Sequence, residues 1–179
     1  MSAHFRDWTW FWRGTNVLAE EVQAIDRPEK HLVGFRIRAT LNEILKSKVV
    51  HRLRQELASR AGEIAGKTED GIYLVQVYDG PGWTPNTPFT HVVGKAVDRL
   101  GAVPTGMTAH TIPAGHFLRF EHKGPESRIG GSYAAMNAWM KDNQREQCAP
   151  FDFEYWGDIA KLEAPDSTIG IHLPVRASA

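Results

Sequence analysis

Only one cysteine, Cys148, occurs in the 179-residue chain. It can close no disulfide within the chain and build no cysteine-based zinc cluster, and this points to a reducing, cytoplasmic setting. Excess charge of either sign is missing too. Twenty-one Lys and Arg balance 21 Asp and Glu, which leaves no global field to draw a polyanion and argues against direct nucleic-acid binding. Acids, bases and prolines interrupt every apolar run well before the roughly 18 to 20 residues that a membrane-spanning helix needs, so no membrane role is expected. A secretory leader is not expected either, because Arg6, Asp7 and Arg13 stand among tryptophans where an apolar core would be required. Signatures of catalysis are equally scarce. No His-Glu-x-x-His helix, Gly-x-Ser-x-Gly elbow, Walker loop or dinucleotide fingerprint occurs. Gly130-Gly131-Ser132 lacks a phosphate-loop lysine and reads as a helix cap.

What is present suits one folded domain: 20.1 kDa, with 42% hydrophobic and 23% charged residues. Residues 1–28 read as an accessory segment. Trp8, Trp10 and Trp12 place three of the six tryptophans within five positions, and the spacing fits a helix stripe and a strand face alike. These rings are expected to pack on the main domain or across a homodimer; a membrane-surface anchor would need more basic residues beside them.

Residues 29–179 form the main domain in this reading. Alternation of apolar and polar residues predicts strands over 31–38, 71–78 and 89–97, and on either side of a break at Pro113-Ala114-Gly115. Two further strands are predicted over 151–156 and 168–175. Helical spacing predicts one long helix near 43–65 and another near 127–141, the second carrying Ile129, Tyr133, Met136 and Met140 as its stripe. The order gives an α+β fold: two strand-helix-strand-strand units, an antiparallel sheet and helices on one side.

Several segments then carry a family resemblance. They are Phe89-Thr90-His91-Val92-Val93-Gly94-Lys95-Ala96-Val97, Val103-Pro104-Thr105-Gly106-Met107, Ile112-Pro113-Ala114-Gly115-His116-Phe117, Lys123-Gly124-Pro125, Trp139-Met140, Phe153-Glu154-Tyr155-Trp156 and Leu173-Pro174-Val175. In joint order over about residues 31–176 they resemble the GyrI-like small-molecule-binding domain, also called the bacterial transcription-activator effector-binding domain. The resemblance implies a duplicated fold with a ligand groove between its halves for diverse apolar, often cationic, small molecules. Relatives often follow an AraC- or MerR-type helix-turn-helix module; this chain is expected to be a stand-alone form. His91 and Trp156 depart from the family pattern, in which Tyr is common at both places.

Glu154 is the residue on which function turns. Strand alternation sets it on one face with Trp156, with Phe153 and Tyr155 on the other. The resemblance implies a ligand-facing carboxylate there. A poorly hydrated anion among rings gains from an organic cation, which the ring faces also attract. Trp139, Tyr78 and His91 complete the expected ligand-binding set, although burial in the core would explain Trp139 and Tyr78 as well. His110, His116 and His122 fall at even spacing, but the Pro113 and Gly115 break spoils their register, and no metal or cofactor is assigned. The leading expectation is a non-enzymatic sensor or sequestering protein for amphipathic or cationic molecules. The alternatives are a hydrolase of small electrophiles with Glu154 as general base and a haem or porphyrin carrier.

Overall fold

The computed structural model describes residues 22–80 and 82–176, so the tryptophan cluster at positions 8–12 lies outside the described residues. The strands are β1 (Val22–Arg27), β2 (Lys30–Ala39), β3 (Ile72–Val77), β4 (Phe89–Val97), β5 (Thr108–Ile112), β6 (Gly115–Lys123), β7 (Phe151–Trp156) and β8 (Thr168–Pro174). They form one sheet in the order β1-β6-β8-β7-β3-β4-β2-β5, and every pairing is antiparallel. The helices are α1 (Leu41–Ser47), α2 (Val49–Ser59) and α3 (Ile129–Asp142). Among the described residues no helix is long and apolar enough to cross a membrane.

The duplication is explicit in the strand order. One unit runs β2, α1 with α2, β3, β4; the other runs β6, α3, β7, β8. Each places its third element at the centre of the sheet, so β3 and β7 pair at the seam, with Ile72 opposite Trp156, Leu74 opposite Glu154 and Gln76 opposite Asp152. The strand that precedes each unit pairs with the other one: β1 lies on β6 and β5 lies on β2. β1 falls on the N-terminal side of the boundary expected at residues 28 and 29, yet it is an edge strand of the same sheet.

Where one long helix was expected near 43–65, the chain forms two. Lys48 takes the left-handed conformation (φ 53°) and donates its N–H to the Ile44 carbonyl at 2.9 Å, which ends α1 and turns the chain into α2. The two segments then meet overlapping neighbours. Ile44 and Leu41 pack on Tyr78, Trp83 and Phe89, whereas Val50 and Leu57 of α2 pack on Val33, Phe35, Leu74, Val93 and Trp156. Ile44 also reaches this second cluster, so α1 borders both. On the same side of the sheet, α3 sets Tyr133, Met136 and Met140 against Leu118, Phe120, Ile171 and Leu173.

The opposite face carries its own core of Leu32, Tyr73, Val75, Val92, Ala96, Ile112, Phe117 and Phe153. Curvature accounts for its burial. β1 is the first strand of the order and β2 the seventh, yet only Pro28 and Glu29 join them. Three consecutive Cα–Cα steps span at most about 11 Å. The sheet must therefore curl until its edges approach, and Ile25, Phe117 and Ile112, from the first, second and last strands, meet in one cluster. The helices lie outside this curl.

Candidate ligand site

On β7, Asp152, Glu154 and Trp156 alternate onto the helix-covered face, where they are only 0%, 4% and 0% exposed. Burying two carboxylates next to each other is costly unless donors meet them, and the seam supplies donors from both units. Gln76, directly opposite Asp152, donates Nε2 to Asp152 Oδ1 at 3.0 Å and to Glu154 Oε1 at 3.3 Å. From α3, the Tyr133 hydroxyl donates to Glu154 Oε1 at 2.7 Å and lies 3.4 Å from Asp152 Oδ1. Trp156 donates its indole Nε1–H to Glu154 Oε2 at 3.0 Å. Tyr78 donates to Asp152 Oδ2 at 3.0 Å.

The Glu154 carboxylate thus receives three donors from neutral groups, and among the described residues no cation lies within ion-pair distance of it. Burial pushes its pKa up to about 7; Glu126 and Asp152 add repulsion, while the hydrogen bonds from Tyr133 and Trp156 work in the opposite direction. A group balanced there exchanges its proton near neutrality, so it can act as an anion toward a cation or as a base toward water.

A built-in cation stands over the ring of Trp156. Arg54 of α2, 5% exposed, sets its guanidinium 4.1 Å from the Trp156 ring centroid. It is held there by a two-point pair with Glu126, Nη1 to Oε2 and Nη2 to Oε1, both at 2.8 Å. The indole therefore already has a cation on its face and an anion at its N–H edge. Tyr78 stacks on Phe89 (5.1 Å, 24°), and Trp83 meets both rings edge-on. This aromatic group lies under α1.

The structure brings together Glu154, Trp156 and Tyr78, and it places His91 beside them. His91 lies opposite Gln76 in the β3–β4 register, and its ring centre is 3.9 Å from that of Phe89. Trp139 stands apart: its ring packs edge-on against Phe120 at 6.1 Å, at the margin of the α3 core. Asp152, Gln76, Tyr133, Arg54 and Glu126 escaped the sequence reading. Asp152 alone had a local signal there, the same two-residue alternation that sets Glu154 beside Trp156. The histidines are dispersed. His116 meets Asp26, while His122 meets Ser132 and the Pro125 carbonyl, and no metal-binding group of three ligands occurs among the described residues.

The chain is thus a curled, duplicated α+β sheet with a hydrogen-bonded carboxylate pair at its seam. Residues 20–171 match the model of the GyrI-like small molecule binding domain, and the chain belongs to that family. The transcriptional regulator BrlR of Pseudomonas aeruginosa is 26% identical over 166 residues, covering 92% of this chain and 57% of BrlR. The chain thus spans little more than half the length of that regulator. Among solved structures, the EcmrR C-terminal domain superposes with a TM-score of 0.67 at 18% identity, covering 88% of this chain and 98% of that one. SAV2435 bound to tetraphenylphosphonium superposes with a TM-score of 0.66 at 15% identity, covering 88% and 94%. At these identities the two structures establish the shared fold.

Proposed function

We propose that this small-molecule-binding domain takes lipophilic organic cations at the β3–β7 seam, with Glu154 as countercharge and Trp156 and Tyr78 among the receiving rings, and that it acts as an effector sensor or a sequestering protein. One observation carries the reading: Glu154 is a buried carboxylate with three neutral donors and no cation in contact among the described residues. Such a group lacks only opposite charge, and a cation that reaches it in a poorly hydrated setting gains more than it would in water. SAV2435, of like fold, was solved with a lipophilic cation, which supports the chemical class.

The test replaces Glu154 with Gln and compares tetraphenylphosphonium with a neutral aromatic ligand by isothermal titration. Cation affinity is expected to fall about fivefold or more, and neutral-ligand affinity to stay within about twofold. Equal cation affinity in both proteins defeats the reading, and an equal loss for both ligands points to damaged packing. The pKa near 7 favours a second reading, in which Glu154 is the general base of a hydrolase acting on small electrophiles. Hydrolysis that Glu154→Gln abolishes, in a protein whose cation affinity is unchanged, would establish that reading instead.

A further inference from the structure

The helix-covered seam is not the only place where charge and rings meet. At the mouth of the curled sheet, on the opposite face, a cavity of about 240 Å³ is lined by Arg27, Pro28, Lys30, Tyr73, Ile112 and Phe153. Topology creates it. The β1–β2 link and the end of β5 converge there, because Arg27 pairs with Gly115 in one register and Lys30 with Ile112 in another. Its floor is aromatic and closely packed: Tyr73 lies 6.0 Å from Phe153 and 5.0 Å from Tyr155. His172 extends the floor, stacked on Phe153 at 4.4 Å and 7°.

The charge of this mouth is the reverse of the charge at the seam. Lys30 is neutralised by Glu69 at 2.5 Å, and Glu69 also accepts the Tyr73 hydroxyl at 3.0 Å. Arg27 has no carboxylate partner among the described residues: its guanidinium stands 5.7 Å from the Phe153 centroid and hydrogen-bonds the Tyr73 hydroxyl. Among the described residues, Arg27 therefore faces the cavity as a cation with no carboxylate beside it. His172 reports the same field, since burial first and then Arg27 and Arg119 drive its pKa down to about 3. The ring is buried and neutral, so the floor beneath Phe153 carries no charge of its own.

We propose that this cavity is a second binding site, for a small planar aromatic carboxylate whose ring lies on Tyr73 and Phe153 and whose carboxylate pairs with Arg27. The guanidinium matches a carboxylate through two parallel hydrogen bonds and tolerates a ring face beside it. The volume is below the roughly 300–1,000 Å³ of drug-sized pockets, which selects a ligand of one or two rings. A guanidinium with no carboxylate beside it among the described residues selects one negative charge. The site is independent of the seam, because Tyr73 and Phe153 project from the opposite face of β3 and β7 to Gln76 and Glu154.

The test titrates benzoate and indole-3-acetate against their neutral amides, benzamide and indole-3-acetamide, and follows the methyl resonances of Ile112 and Ile171 by NMR. The carboxylates are expected to bind saturably, about tenfold or more tighter than the amides, and to shift Ile112 in the cavity while leaving Ile171 on the helix side unmoved. Arg27→Gln should reduce the preference for the acid to about twofold and leave amide affinity unchanged, as expected for a half-exposed edge residue whose loss spares the core. Glu154→Gln should change neither. The proposal is overturned if acid and amide bind alike or not at all, if Arg27→Gln keeps the preference, if Ile171 shifts in place of Ile112, or if tetraphenylphosphonium displaces benzoate by competition.

Discussion

Affinity for a lipophilic cation should follow the ionisation of a single carboxyl. Glu154, with its pKa raised to about 7 by burial, is mostly protonated at about pH 6 and mostly ionised at about pH 8; the ionised fraction goes from about one eleventh to about ten elevenths. If the cation binds only the carboxylate form, its apparent affinity rises about tenfold over that interval and levels off above it, and binding near pH 7 releases about half a proton per cation. Isothermal titration of tetraphenylphosphonium from about pH 5.5 to 8.5, in buffers of differing ionisation enthalpy, reads the affinity and the proton count together. Glu154→Gln should flatten the profile and abolish the proton release. Two outcomes refute the reasoning: a flat profile in the native protein, or the same slope in the Gln variant, which would assign the titration to another group.

Stability should move the other way from cation affinity. Because the folded-state pKa of Glu154 lies above its ordinary value of 4.5, the protonated form stabilises the fold. That contribution is complete below about pH 4.5 and is lost as pH rises through about 7, an effect of about 3 kcal/mol that urea titrations of the native protein and Glu154→Gln should show as a difference in slope against pH. Glu126→Gln breaks the pair with the buried Arg54 guanidinium and is expected to cost about 1–3 kcal/mol in chemical denaturation; an unchanged midpoint would show that Arg54 finds another partner. Gly34 lies opposite Gly94 in the β2–β4 pair, and an ideal Cβ there would overlap the Val93 carbonyl oxygen. Gly34→Ala is thus expected to cost about 3 kcal/mol or more, seen as a lowered melting temperature, and a variant as stable as the native protein would refute so close an approach.

The sheet was legible in the sequence because two-residue alternation is a local signal. β2, β3, β4, β7 and β8 fall within a residue or two of the segments read from it. β1 was hidden because Val22, Gln23, Ala24, Ile25 and Asp26 form an edge strand only partly covered, with little apolar contrast. The break at Lys48 was hidden for another reason: no glycine or proline marks it, and the left-handed residue is a lysine. At the site, Glu154 and Trp156 could be paired from one strand. Gln76, Tyr133 and Arg54 come from β3, α3 and α2; their convergence depends on which strands meet at the seam, and local periodicity carries no such information. Trp139 shows the converse, an aromatic on the right helix whose direction sends it to Phe120.

Duplication gives two equivalent inner strands, but the chain fills them unequally. Onto the helix-covered face of the seam, β3 projects Ile72, Leu74 and Gln76, whereas β7 projects Asp152, Glu154 and Trp156. Both carboxylates therefore belong to one half, and the other half answers with an amide that bridges them. A symmetric pair of acids, one from each half, would present two equal sites across a pseudo-two-fold axis. Grouping both on β7 makes one strongly polar pole, with the rings of Tyr78, Trp83 and Phe89 at the Asp152 end and the Arg54-capped Trp156 at the other. On the proposed reading the asymmetry gives the repeated scaffold one cation site at the seam, and the opposite face, where Arg27 has no carboxylate beside it among the described residues, stays electrically distinct from it.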